Sequence, residues 1–331
     1  MFGTLLLAMS ITLLPQAPQP QHVAPLIPAQ HFAPVTVPFD YYNRHIFITL
    51  TLDGTPGMVF LLDSGTNANV VSMNTAATMG LQPVSVQQQK GLGLGSGKVY
   101  VAAAKDIDAR IGDIQVANLM AVIDLKALEH QFGHRIDGIL GFPFLQHFVV
   151  QLDFNKHLLT LMPSKKYSYR GPGDMVYLTS RSTATSIPVM VSTMDHAERL
   201  IKVEVDTGSD VTLLLYPRFV HGAHMEGIFP PKAQQEAYGL GGYFAMQYGV
   251  LNSLLMGRTE ASHLTVFKLL SNPVATRTGF AGVIGTSLLD QFRKVVFDVP
   301  RGHIIFEMNP PDQVSANRPA LPAIPTGQTE K

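Results

Sequence analysis

The chain has 331 residues, 46% of them apolar and 15% charged, with 28 Gly and 23 Pro, which describes a folded, turn-rich protein long enough for two domains. Lys plus Arg, 24 in all, balance Asp plus Glu, also 24, and no run of like charge occurs, so the electrostatic footprint of a nucleic-acid binder is missing. There is no Cys, which excludes disulfides, thiolate metal sites and cysteine nucleophiles and leaves the redox compartment open.

Residues 5–14 form an apolar run of about ten, too short to span a bilayer and of the length of a signal-peptide core. Residues 1–17 are therefore expected to be a signal peptide and the protein to be exported, periplasmic or secreted. Two features run against this: no Lys or Arg lies upstream, and Pro18 follows the small-residue site at Ala17. No other stretch reaches 18 apolar residues, so no membrane span is expected in the mature chain. Residues 18–42, rich in Pro, Gln and Ala, are expected to be an extended leader, with structure beginning near His45.

Ile46-Phe47-Ile48-Thr49-Leu50-Thr51-Leu52 alternates, Asp53-Gly54-Thr55-Pro56-Gly57 is a turn, and residues 58–62 are again a β run. This predicts a hairpin that delivers Asp63 at its far end. After Ser64-Gly65-Thr66 come Val70-Val71-Ser72 and a helical stretch over 73–79, stopped by Gly80. Gly91-Leu92-Gly93-Leu94-Gly95-Ser96-Gly97 follows. It is no phosphate loop, because Lys98 precedes Val99 and Leu92 stands where the first glycine belongs. It is no dinucleotide fingerprint either, because Ser96 takes the place of the third glycine. A glycine-dense hairpin tip is the better account. The run closes with Asp137-Gly138-Ile139-Leu140-Gly141, a short helix over 142–148, and strands over 149–153 and 158–161.

The same order then recurs. Residues 163–180, with Lys165-Lys166 and Gly171-Pro172-Gly173, read as a linker between lobes assigned to 43–162 and 181–308. Residues 186–193, a polar turn over 194–199 and a run over 200–205 deliver Asp206, 143 positions after Asp63. Gly239-Leu240-Gly241-Gly242 matches the glycine tip at an offset of 148, and Ala281-Gly282-Val283-Ile284-Gly285 matches the apolar-apolar-Gly stretch at 144. Landmarks that hold register within about five residues mark an internal duplication. Residues 309–331, rich in Pro and Ala, are expected to be a disordered tail.

One Asp-(Ser/Thr)-Gly means little, but two at the same place in a repeat point to paired carboxylates. With the glycine tips and the two apolar-apolar-Gly stretches, the region from His45 to Glu307 resembles the two-lobed aspartic proteases of the retropepsin-like and pepsin-like clan. It is most similar to bacterial single-chain members with lobes of retropepsin size. The resemblance implies an all-β fold of two similar lobes with few short helices and a cleft between them. It implies Asp63 and Asp206 as the catalytic pair, supported by Ser64, Gly65, Thr66, Thr207, Gly208 and Ser209. Gly91, Gly93, Gly95, Gly97, Gly239, Gly241 and Gly242 would be flap positions over the substrate, and Gly141 and Gly285 structural loop glycines. No pepsin-type flap tyrosine is matched, since Tyr100 and Tyr243 lie near the tips in no recognisable motif. Thr66 and Ser209 are of the pepsin type, where retropepsins usually carry Ala.

The activity so implied is an acid-pH endopeptidase without cofactor or metal, acting on a peptide or protein substrate as a monomer, with no nucleic acid. In such a dyad one carboxyl keeps a proton while the other activates water, and which aspartate is the base is left open. Two plainer readings stand beside it. The carboxylates could end strands as Asx turns, and a protease-shaped chain could hold a peptide or cell-envelope partner without cutting it. His130 with His134, and His221 with His224, lack a third ligand and read as surface or packing residues.

Overall fold

The computed structural model describes residues 5–7, 32–82, 84–90, 98–179, 184–239, 242–271 and 279–309. Strands predominate, arranged as two halves built alike around two catalytic-loop candidates and joined by a shared sheet.

In the first half, His45–Leu52 and Thr55–Leu62 form the expected hairpin. Its turn is set by Asp53 and Gly54, with φ of 44° and 78°, a pair of left-handed residues that suits the twist of a tight hairpin. Asp63 follows at the end of the second strand. The chain loops through residues 63–69 and returns as Val70–Ser72. The strand Gly138–Leu140 then inserts between the two, parallel to Thr55–Leu62 and antiparallel to Val70–Ser72. The second half repeats this arrangement. Glu198–Val205 ends at Asp206, Leu213–Leu215 returns, and Gly282–Ile284 lies between them with the same two senses of pairing.

Insertion of those central strands puts backbone against backbone. Asp63 N–H donates to Leu140 O at 2.9 Å and Asp206 N–H to Ile284 O at 2.8 Å. Phe142 N–H reaches Thr66 O and Thr286 N–H reaches Ser209 O, both at 2.7 Å. Each aspartate loop is thereby bonded at both ends to an apolar-apolar-Gly strand. The glycines that end those strands, Gly141 and Gly285, are required by this crossing. A Cβ on Gly141 would lie 2.1 Å from Ala68 O, and one on Gly285 2.4 Å from Ser209 O. Short helices follow each glycine, Phe142–His147 and Thr286–Leu289.

The halves meet along six neighbouring strands of a 13-stranded sheet, ordered Asp174–Tyr177, His303–Glu307, Lys294–Asp298, Phe148–Asp153, Leu158–Pro163, Val35–Tyr42. At its centre Phe148–Asp153 and Lys294–Asp298 pair antiparallel, with Val150 opposite Phe297 and Leu152 opposite Val295. Both strands are buried except at Gln151 and Lys294, so the seam is also core.

Structure begins earlier than the sequence suggests. The strand Val35–Tyr42 falls in the region read as leader, where its composition hides an alternation of Val35, Val37, Phe39 and Tyr41. Pro38 interrupts it without breaking it, because the strand changes partner there. Residues 35–38 pair with Leu158–Pro163 and residues 39–42 with His45–Leu52. Within the stretch read as a linker, Asp174–Tyr177 is an edge strand of the shared sheet, pinned by Arg258 Nε on Asp174 Oδ1 at 2.5 Å and Thr259 Oγ1 on Oδ2 at 3.0 Å. Part of the run expected as a signal-peptide core, Leu5–Leu7, pairs in parallel with Ala237, Tyr238 and Gly239. The expected tail lies outside the described residues apart from Asn309.

The fold makes Gly141→Ala and Gly285→Ala costly, since the atoms a Cβ would meet are backbone carbonyls that cannot rotate away. Each substitution is expected to lower unfolding free energy by about 2–3 kcal/mol in urea denaturation. A loss under about 0.5 kcal/mol would show that the crossing is loose.

Candidate active site

The two aspartate loops meet between the halves, and reciprocal hydroxyl bonds hold them together. Ser64 Oγ donates to Val205 O at 2.7 Å and accepts from Thr207 N–H at 3.0 Å. Thr207 Oγ1 donates to Leu62 O at 2.8 Å and accepts from Ser64 N–H at 3.0 Å. All four groups are buried, so each bond also removes an unmet polar group from the interior. Thr185 adds to the clasp, its Oγ1 donating to Val205 O at 2.5 Å and lying 3.5 Å from Ser64 O. A lone hydroxyl whose acceptor lies 20 positions away leaves no sequence signal.

This clasp sets the two carboxyls face to face. Asp63 and Asp206 are 0% and 1% exposed. Asp206 lies directly over Gly65, where a Cβ would stand 2.5 Å from its Cγ and 2.6 Å from its Oδ2. Only glycine lets the second carboxyl come so close to the first loop. Asp63 Oδ1 accepts from Gly65 N–H at 2.9 Å and Thr66 N–H at 3.0 Å, and its Oδ2 from Thr66 Oγ1 at 2.5 Å. Asp206 Oδ1 accepts from Gly208 N–H at 2.9 Å. Apart from the contact of Asp206 with Asp63, neither Asp206 Oδ2 nor Ser209 Oγ has a hydrogen-bond partner, so Ser209 does not do for Asp206 what Thr66 does for Asp63.

Both carboxyls are held above the ordinary aspartate range. For Asp63 burial raises it, and the Thr66 hydroxyl, the contact with Asp206 and the Gly65 and Thr66 amides pull it back. For Asp206 burial is again the largest cause, followed by the charge of Asp63 and then that of Glu204, with the Gly208 amide a smaller counterweight. Burial of both groups at such close range means that they share a proton over a wide pH interval. Such a pair can activate a water with its ionised member and donate a proton with the other.

The predicted flap positions divide. Gly91, Gly93, Gly95, Gly97 and Gly241 lie outside the described residues, whereas Gly239 and Gly242 are the described ends of the hairpin between Gln234–Gly239 and Gly242–Met256. Gly242, at φ 106°, sits where other side chains are strained. This hairpin crosses to the first half. Tyr238 packs against the core cluster that contains Phe47, Leu61 and Ile139, and Tyr243 donates its hydroxyl to Gln131 Oε1 at 3.3 Å. The two rings meet edge to face at 4.8 Å. Sequence reasoning missed Tyr238, because its partners lie in the other half. A cavity of about 300 Å³ opens elsewhere, in the first half beside Arg135 and Asn74, and includes neither aspartate. Among the described residues no group of three His, Cys, Asp or Glu could hold a metal, and no helix is long and apolar enough to cross a membrane.

Paired halves, paired loops and paired carboxyls define the two-lobed aspartic-proteinase fold. The chain is similar in structure to the aspartic proteinase from Irpex lacteus, with a TM-score of 0.52, 13% identity, and coverage of 86% of this chain and 100% of that one. Residues 48–147, which include Asp63, match the family described as gag-polyprotein putative aspartyl protease. The retropepsin-like and pepsin-like resemblance of the sequence is thus met twice, by family in the first half and by fold across both. No curated protein sequence matches the chain.

Two outcomes are expected from this geometry. Ser64→Ala and Thr207→Ala should each cost about 1–3 kcal/mol, and a double-mutant cycle should show coupling of at least about 0.5 kcal/mol because the hydroxyls share one network. The raised carboxyls also fix a sign. A folded value above the unfolded one contributes stability that is full below about pH 4 and is lost as pH rises through the folded value. Asp206→Asn should therefore unfold roughly 4 °C or more above the wild type at pH 7, with the gap closing toward pH 3.

Proposed function

We propose that this protein is an aspartic endopeptidase that hydrolyses peptide bonds with a water held between Asp63 and Asp206. The observation that carries the reading is the placement of the Asp206 carboxyl over Gly65, with Ser64 and Thr207 bonded reciprocally beneath it. Strand-ending Asx turns would not need that clasp.

The ionised carboxylate takes a proton from the water as it attacks the scissile carbonyl carbon. The protonated carboxyl donates to the carbonyl oxygen, giving a neutral tetrahedral gem-diol. As the C–N bond breaks, a proton passes to the departing nitrogen and the dyad returns to its singly protonated state. The hydrogen bonds favour Asp63 as the base, since three donors stabilise its charge and one serves Asp206. No cofactor, metal or covalent enzyme intermediate enters these steps. Activity requires one proton on the pair and is lost as pH rises through the pair's upper titration, which favours an acid working range.

An extended peptide would bind as an added strand between the dyad and the hairpins, its main chain bonding to strand edges and alternate side chains entering pockets. We propose that the enzyme is exported and acts as a monomer, the apolar run at 5–14 serving as the export signal. Cleavage of a denatured protein should be measured from pH 2 to 8, with and without a pepstatin-type inhibitor, for the wild type, Asp63→Asn and Asp206→Asn. The wild type should cleave with an acid optimum and be inhibited, and each variant should lose about 10²–10⁴-fold or more. Cleavage that survives either substitution sinks the mechanism. Absence of cleavage at every pH leaves the molecule a peptide-binding protein.

A further inference from the structure

The duplication breaks at one buried position close to the dyad. Two residues before Asp63 stands Leu61, fully buried and packed in the cluster of Phe47, Val70 and Ile139. Its counterpart 143 positions on is Glu204, 1% exposed and two residues before Asp206. Side chains two apart on a strand share a face, so Glu204 and Asp206 are directed to the same side of the sheet. Glu204 pairs across the backbone with Ser186 on one side and Val283 on the other. The Val283 cluster on that face contains Val211, Leu214 and Phe267. A leucine would suit this setting, as it does in the first half, and a carboxylate there carries a desolvation cost.

Charged and titratable groups lie on several of the elements around Glu204, with Glu198 and Arg199 at the far start of its own strand. The strands Ser186–Ser192 and Gly282–Ile284 that flank it carry none. On its own strand Lys202 lies two residues back and is exposed. Asp210 and Tyr216 bracket the strand Leu213–Leu215, Tyr248 packs against the same cluster, and Asp206 and Asp63 lie ahead.

We propose that Glu204 is a positioning residue of the catalytic centre, whose negative charge keeps the shared proton on Asp206 and so leaves Asp63 as the base. This rests on the endopeptidase reading. Three features support it. Glu204 follows burial and Asp63 among the causes that push Asp206 upward. Asp63 accepts three hydrogen bonds that favour its charge, whereas Asp206 accepts one and otherwise meets Asp63 itself, which places the proton on Asp206 between the two carboxyls. The repeat itself shows that a neutral apolar residue fits the position when no such bias is imposed.

The test follows the proton directly, without need of turnover. With aspartate carboxyl carbons labelled with ¹³C, the Asp206 resonance is assigned by its loss in Asp206→Asn and titrated from pH 2 to 8 in the wild type, Glu204→Gln and Glu204→Asp. The upper midpoint is expected to fall by about one pH unit in Glu204→Gln, a tenfold loss of proton affinity, and to stay near the wild-type value in Glu204→Asp. The alkaline limb of the kcat/KM profile should move by the same amount. If Glu204→Gln does not fold, Glu204→Leu, which copies the first half, takes its place with the same expectation. A folded variant whose Asp206 midpoint is unchanged overturns the role of Glu204, even if proteolysis is found. A wild type that titrates and shifts as expected but cleaves nothing supports the bias and defeats the endopeptidase reading alone.

Discussion

Two carboxyls buried against each other repel once both are charged, and the fold is arranged to hold them close regardless. That requirement explains the reciprocal Ser64 and Thr207 bonds, which tie each loop to the strand that delivers the other aspartate. It explains the central strands too, since Leu140 and Ile284 fix the backbone amide of each aspartate and leave the loops no freedom to relax apart. Gly65 completes the constraint, because any side chain there would occupy the space of the second carboxyl.

The two halves are alike in backbone and unlike in chemistry. Thr66 binds Asp63, while Ser209, its counterpart, leaves Asp206 Oδ2 unbonded. Asn69 Oδ1 accepts from the Gly141 amide, whereas the second half has Thr212 at the matching place, bonded instead to Thr265 O. Leu61 gives way to Glu204, and the second hairpin reaches across to Gln131 and the first core. A symmetric dyad would leave the proton equally at home on either carboxyl. These differences give each aspartate its own surroundings.

The aspartates were legible because a repeat made each copy vouch for the other, and the hairpins before them because alternation and turn residues agreed. The apolar-apolar-Gly strands were legible for the same reason. Val35–Tyr42 was not, since Pro38 and its neighbours gave the segment the composition of a leader, and only the change of partner at that proline makes the strand possible. The long strands Lys98–Ile111 and Ile114–Ile123 escaped because runs such as Val101-Ala102-Ala103-Ala104 carry little alternation. The seven-residue helix Lys126–Phe132 spans too few turns to declare a period. Thr185 and Tyr238 act through partners that no local pattern could supply. Glu204 shares its strand with the charges Glu198, Arg199 and Lys202, so nothing in the sequence set it apart, and only the fold shows that it is buried.

The seam through Val150 and Phe297 makes the floor of the molecule one continuous sheet. Strands from both halves share its backbone ladder, so swinging the halves apart would mean tearing hydrogen bonds from a buried core. Under the proposed endopeptidase reading, an extended peptide would enter along the cleft and not through a jaw that opens. Such an entrance would suit extended segments and turn away compact domains, so the shape of the frame would itself select among substrates before any pocket reads a side chain.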